Sequence, residues 1–376
     1  FVLPGVARAP AFLCGAILEF YERLGTASLR LPGAVFTCGQ PKIWQMAGYY
    51  TGLVVFLFWR YQLKERKKRR MGQINDPDIR QEEAERAEPH RRILQAGSAA
   101  VLGILLLFLT LRLHSGFQLV MLDVGQGDGI YLRTAAGTTI LIDGGSTSVT
   151  KVGTYRILPF LKSEGVGRLD YIAGIKEVLE TASEPGGLRI GTLLLSGRSM
   201  EEEKGQRLME NARENGVTVQ KIEKGAVLRD GLTELTCLHP DGTKAYADVN
   251  EASVVLALRY QEFSVMLTGD LEETGEREIL EREQKHGGKE WPPYGFAVLK
   301  AGHHGSRTSG SEAWLEAVKP RLTLISCGRD NSYGHPHREA LVRLDAAGSK
   351  ILQTTECGAI TVESDGKDFR VHAYLQ

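Results

Sequence analysis

Between Phe117 and Pro185 the sequence contains no histidine, and its five cysteines (Cys14, Cys38, Cys237, Cys327, Cys357) never take CxxC spacing. The second absence excludes a zinc ribbon and a thioredoxin-like redox site and leaves the cysteines as small apolar residues. An excess of charge of one sign is also lacking. Lys plus Arg and Asp plus Glu each total 46, so no global basic field marks the chain as a nucleic-acid binder, and any hold on phosphate has to come from local patches. The chain opens on Phe1 without a charged stretch, apolar run and cleavage site, which excludes a signal peptide and predicts that part of the protein precedes it. No internal repeat or low-complexity tract is visible. With 42% hydrophobic and 24% charged residues over 376 positions, one large folded domain plus an accessory region is expected.

Two runs are apolar enough to suggest membrane helices, about 43–60 (IWQMAGYYTGLVVFLFW, from Ile43) and 93–113 (ILQAGSAAVLGILLLFLTLRL, from Ile93). Trp44, Tyr49, Tyr50 and Trp59 lie toward the ends of the first, where interfacial aromatics belong. A polar loop is expected over 61–92; it begins KERKKRR (Lys64 to Arg70), a block that stays in the cytoplasm under the positive-inside rule and places everything after Leu113 outside. The alternative is two core helices of a soluble protein. Upstream, Ala11 to Leu24 followed by Leu31-Pro32-Gly33 suggests an interfacial helix and a turn. Residues 1–116 are thus expected to be a membrane region and 117–376 a separate domain.

From Phe117 the texture changes to short β-rich runs punctuated by glycine: FQLVMLDVG, GIYLRT, TTILIDGG, TLLLS, VTVQKI, ELTCLHP, SVVLALRY, FSVMLTGD, FAVLKAG, TLISCG, KILQTT and AITVES. Helical stretches fall between them, such as Glu201 to Asn215, Glu273 to His286 and Ser311 to Lys319. Many strands with interleaved helices predict an α/β domain of two sheets covered on their outer faces by helices, a four-layer αββα sandwich.

Four segments carry chemistry. LDVGQGDGIYLRT (Leu122 to Thr134) with ILIDGGS (Ile140 to Ser146) reads as a tight hairpin, with Asp143 at the end of an apolar strand. In FSVMLTGDLEE a strand delivers Asp270 just after a glycine, as a bridging metal ligand or a helix N-cap would require. In VLKAGHHGSRTSGSE two adjacent histidines, His303 and His304, stand on a turn and point in different directions, so that one can reach a cation. Around them Lys300, Ser306 and Arg307 offer donors suited to a phosphodiester backbone. In SCGRDNSYGHPH the residues Asn331, Tyr333, His335 and His337 crowd a Gly/Pro-shaped loop, with donors, a ring that can stack and further possible ligands.

In their order these motifs resemble the metallo-β-lactamase superfamily, and the LDVGQGD, HHGS and YGHPH forms are similar to its ComEC-type competence branch. The resemblance covers residues 117–376. It implies a divalent cation, Zn or Mn, held by Asp270, His303, His304 and His337, with Asp143 and His335 orienting them from behind. Catalysis then falls to Asp270, His303 and His304, and contact with DNA to Lys300, Ser306, Arg307, Asn331 and Tyr333. It also implies a multi-pass cell-membrane protein with an extracytoplasmic C-terminal domain, a larger channel region upstream in the same protein, and DNA and the competence machinery as partners.

One part of the superfamily pattern is missing. Its main ligand source, a loop reading roughly H-x-H/D-x-D-H, belongs after a strand that here is Leu169 to Ile172, yet the sequence passes directly into AGIKEVLE (Ala173 to Glu180). A metal-dependent, nuclease-like hydrolase is therefore expected to be impaired. The alternatives are a catalytically inactive DNA-binding module on the same fold and, further off, a small-molecule metallo-hydrolase.

Overall fold

The computed structural model describes residues 4–29, 31, 34–73, 77–174, 176–183, 187–287 and 295–375. Contacts divide the chain into two units, one of Phe1–Phe36, His114–Leu161 and Val166–Gln376 and another of Thr37–Leu113 and Lys162–Gly165. Helix α1 (Pro4–Leu29) precedes the second unit in the chain; its apolar side chains, Phe12 and Leu18 among them, are exposed.

The second unit is a helix hairpin of α2 (Ile43–Gly72) and α3 (Pro77–Thr110). Glycines on α2 allow the close approach: a methyl on Gly52 would come within 2.8 Å of Leu105, and one on Gly48 within 3.0 Å of Phe108. The buried Gln45 clasps the open end by donating from Nε2 to the carbonyls of Phe108 (2.8 Å) and Leu111 (2.9 Å), at and just past the C-terminal end of α3. Two expectations change here. The region 61–92 is not a loop, since α2 runs through Lys64–Arg70 and α3 begins at Pro77; Lys, Arg and Glu are good helix formers, so polarity alone did not end either helix. Among the described residues one helical stretch, Arg92–Thr110, is long and apolar enough to cross a membrane, and the run from Ile43 is not. The turn read at Leu31-Pro32-Gly33 lies mostly outside the described residues.

The first unit continues with two sheets. In chain order its elements are β1 (Phe117–Met121), β2 (Ile130–Arg133), β3 (Thr139–Ile142), α4 (Leu158–Ser163), β4 (Arg168–Ala173), α5 (Lys176–Glu180), β5 (Arg189–Leu195), α6 (Gly197–Glu201), α7 (Glu203–Glu214) and β6 (Thr218–Lys221). Then come β7 (Val227–Asp230), β8 (Thr233–His239), β9 (Val255–Tyr260), β10 (Phe263–Leu267), α8 (Glu273–Gly287), β11 (Val298–Lys300), α9 (Glu312–Val318), β12 (Leu322–Ile325), α10 (Arg338–Ala346), β13 (Lys350–Gln353), α11 (Thr354–Cys357), β14 (Ile360–Ser364) and β15 (Phe369–Ala373). One sheet has the order β15-β14-β1-β2-β3-β4-β5-β6, the other β13-β12-β11-β10-β9-β8-β7.

The strands alternate between two apolar environments, which is why their sequences read as unbroken hydrophobic runs. Phe117, Leu119 and Met121 of β1, Ile130 and Leu132 of β2, Phe263, Val265 and Leu267 of β10, and Leu322 and Leu324 of β12 meet in one core between the sheets. The intervening Val120, Tyr131 and Leu141 pack outward with Leu161 of α4, Val178 and Leu179 of α5 and Ala212 of α7. On the other side Met266, Leu299 and Ile325 pack with Ile279 of α8, Trp314 of α9 and Leu344 of α10. Helices therefore cover the outer face of each sheet, in a mixed α/β fold of four layers. β3 to β6 run parallel, as do β10 to β13, and a helix crosses over between each neighbouring pair. That arrangement brings several strand C-termini to one end, where the motifs sit.

Candidate metal centre

Three strand ends and one loop build the site. The loop after β1 supplies Gln126 and Asp128, β10 leads into Asp270, β11 ends in Lys300 and turns through His303 and His304, and β12 leads into the segment carrying His335 and His337. Both His303 (φ 44°) and His304 (φ 55°) adopt left-handed backbone, a conformation that costs roughly 1–2 kcal/mol for each side-chain-bearing residue and persists only where surroundings impose it. The restraints are visible. Backbone N–H of His303 donates to the Gly269 carbonyl (3.1 Å), and Gly302 packs so closely that a methyl there would lie 2.6 Å from the Leu271 carbonyl.

The imidazole of His304 donates from Nδ1 to the Ser326 carbonyl at 2.9 Å, which turns Nε2 toward Asp270 Oδ1 at 3.5 Å. One ligand atom from each of Asp128, Asp270 and His304 lies within 4.8 Å of the other two. Asp128 Oδ1 is buried and has no hydrogen-bond partner. Two carboxylates, one of them with a buried oxygen that lacks a hydrogen-bond partner, and an imidazole together suit a divalent cation such as Zn or Mn. Burial pushes the Asp270 carboxyl up, but the Lys300 ammonium and the imidazoles around it outweigh burial and hold it below the ordinary carboxylate range.

Of the implied ligands, Asp270 and His304 are brought together; His303 and His337 are not in that group. His303 holds Glu272 through Nδ1 (2.8 Å), and His337 Nδ1 accepts the backbone N–H of Arg307 (3.3 Å). His335 lies among all three, with ring centroids 5.2 Å from His303, 6.2 Å from His304 and 4.9 Å from His337, and Gln126 Nε2 lies 3.3 Å from its Nδ1. Burial and the neighbouring imidazoles push it down to about 4. Asp143, half-buried at the end of β3, is pushed up to about 7 by burial and then by Asp128 and Asp270. Asp143, Asp128, Asp270, His303, His304 and His335 all line a cavity of about 660 Å³ that reaches inward between the sheets.

Several expected DNA contacts have other duties. Lys300 is not a backbone-binding cation, because its side chain is fully buried and its ammonium pairs with Asp128 Oδ2 at 2.5 Å. Ser306 is buried against the Thr308 hydroxyl (2.8 Å), and the Asn331 amide braces its loop by donating to the carbonyls of Gly328 (2.9 Å) and His335 (2.6 Å). Arg307 and Tyr333 remain exposed, and the Tyr333 ring stacks near His335 at 5.8 Å. Asp128 was missed as a candidate although it stands in the quoted GQGDG stretch; its position after a glycine turn and before a buried strand was the available signal. The absent histidine loop is visible as geometry: β4 ends at Ala173 and α5 begins at Lys176.

No family model matches the chain. It is 28% identical over 286 residues to ComE operon protein 3 of Bacillus subtilis, an alignment that covers 72% of this chain and 36% of that protein. With Competence protein ComA of Neisseria gonorrhoeae the identity is 30% over 247 residues (63% of this chain, 31% of that one), and with Recombination protein 2 of Haemophilus influenzae 30% over 278 residues (69% and 31%). The chain thus spans about a third of the length of the curated relatives it matches. Among solved structures, the metallo-beta-lactamase fold protein YhfI from Bacillus subtilis aligns with a TM-score of 0.42 at 11% identity, covering 66% of this chain and 100% of that one. With these relatives and the LDVGQGD, HHGS and YGHPH motifs gathered at one cleft, the chain belongs to the ComEC-type family.

Proposed function

We propose that this chain is part of a membrane protein of DNA uptake, and that residues 117–376 form its extracytoplasmic DNA-handling domain, which holds one divalent cation, Zn or Mn, at Asp128, Asp270 and His304. The observation that carries this reading is the convergence of those three side chains, one with an orphaned buried oxygen, on the lining of the cavity. Asp128, Asp143 and Asp270 line that cavity beside the buried ammonium of Lys300, so a phosphodiester meets net negative charge there until a cation is bound. The cation would supply Lewis acidity toward a phosphate oxygen. The chain's own contribution is placement: Arg307 offers charge to the backbone, and Tyr333 offers a ring on which a base can stack.

The membrane assignment is supported by Arg92–Thr110, with mean hydropathy 2.1 and none of its window buried, and by exposed apolar side chains of α2 such as Val54, Leu57 and Phe58. The basic block Lys64–Arg70 sets the cytoplasmic side. An upstream channel region of the same protein and the competence machinery are the partners this reading implies.

The full chain in detergent, titrated with single-stranded DNA with and without Mn²⁺ or Zn²⁺, should bind only with the cation and more weakly as salt rises. Absence of both bound metal and cation-dependent affinity refutes the proposal. A nuclease is the second reading, favoured by the retained Asp270 and His304; cleavage of single- or double-stranded DNA under the same conditions would establish it.

A further inference from the structure

We infer that Lys300 is a built-in cation of this cleft: its ammonium sits between Asp128 and the end of β10, takes the place a second divalent ion would need, and limits the cleft to one such ion. The inference rests on the reading that the cleft binds a divalent cation. Lys300 closes β11 in an otherwise apolar strand, and its side chain is fully buried. Its ammonium meets Asp128 Oδ2 at 2.5 Å, donates to the Gly269 carbonyl at 2.6 Å, and lies 3.9 Å from Asp270 Oδ1. That is an anionic and carbonyl oxygen shell of the kind hard cations take. A buried ammonium is tolerated only when paired and hydrogen-bonded, and this one joins a strand of one sheet to the Asp128 loop of the other.

The two oxygens of Asp128 are divided by this arrangement. Oδ2 is committed to the ammonium, while Oδ1 has no hydrogen-bond partner and lies 3.5 Å from His304 Nδ1. One carboxylate therefore serves two cationic positions, of which the protein fills one itself. A second dication would face the ammonium at contact range without the histidines that a loop after β4 would add.

The test is metal content and melting of the full chain in detergent after dialysis against Mn²⁺. Wild type should hold one ion per chain. Lys300→Met should hold two, and its melting temperature, lowered without metal, should rise in Mn²⁺ by at least twice the wild-type increment; Lys300→Arg should restore a count of one. A count of one in Lys300→Met with an unchanged increment overturns the inference and leaves the one-ion reading intact. If wild type binds none and Lys300→Met binds one, the ammonium's role holds and the one-ion reading falls; if neither binds, both fall. Should Lys300→Met fail to fold, Asp128→Asn/Lys300→Met is compared with Asp128→Asn. Loss of the ammonium should then tighten the remaining ion at least tenfold, and equal affinities overturn the inference.

Discussion

The two sheets face the same cleft but furnish it unequally. To the lining of the cleft the strand ends of the seven-stranded sheet bring Asp270 and three imidazoles, His303, His304 and His335, whereas those of the eight-stranded sheet bring the carboxylates Asp128 and Asp143 with the Gln126 amide and no imidazole. Sandwich, core and both helix layers nevertheless form around β4 and its short passage into α5. The fold is therefore held by its apolar alternation and by buried contacts across the cleft, with no histidine between β4 and α5.

The largest test of that comparison attacks the pair joining the sheets. Asp128→Ala leaves a buried ammonium without its partner and should cost about 3–5 kcal/mol by urea unfolding; a loss below about 1 kcal/mol would mean that Lys300 finds water and that the sheets are not joined through it. Next come the imidazoles. At a cation concentration a hundredfold above Kd the wild type should gain about 2.7 kcal/mol, His304→Ala should lose that gain, and His303→Ala should keep it. Equal losses would erase the distinction between the two histidines.

A smaller effect concerns the carboxylate side. Asp143 is raised to about 7 when folded, so it binds its proton more tightly folded than unfolded. Its favourable contribution is complete below the ordinary carboxylate range and is lost as pH rises through about 7. Without metal, Asp143→Asn should therefore raise the melting temperature at pH ~8 by about 3 °C and change little at pH ~4; the same shift at both would show a solvated carboxyl. The smallest effect is expected at the rim, where Arg307→Ala should reduce the slope of log affinity for DNA against log salt by about 1. An unchanged slope would move the DNA contact elsewhere.

Strands in the middle of each sheet were legible because both faces are largely buried and their sequences are mostly apolar, as in FQLVM and LTLI. The strands that escaped reading, β7 (VLRD) and β15 (FRVHA), lie at sheet edges and bury no residue fully, so no hydrophobic pattern announces them. At the site, Asp270 and His304 were legible because each ends a strand in a local motif. The role of Lys300 was not, because its partner Asp128 comes from the other sheet. A lysine inside FAVLKAG already signals burial, but no local pattern names the acid that answers it. Ser306 and Asn331 were misread for a related reason: a loop's polar residues look the same whether they face a ligand or brace their own backbone.

The edges have a consequence for life at high concentration. Each of the four edge strands, β15, β6, β13 and β7, carries an exposed cation: Arg370, Lys221, Lys350 and Arg229. Lys221 and Arg229 are paired with Glu223 and Glu234, so two copies approaching edge to edge would have to strip water from these charged side chains before any ladder of hydrogen bonds could form, and the open margins of this sandwich resist polymerising into a continuous sheet.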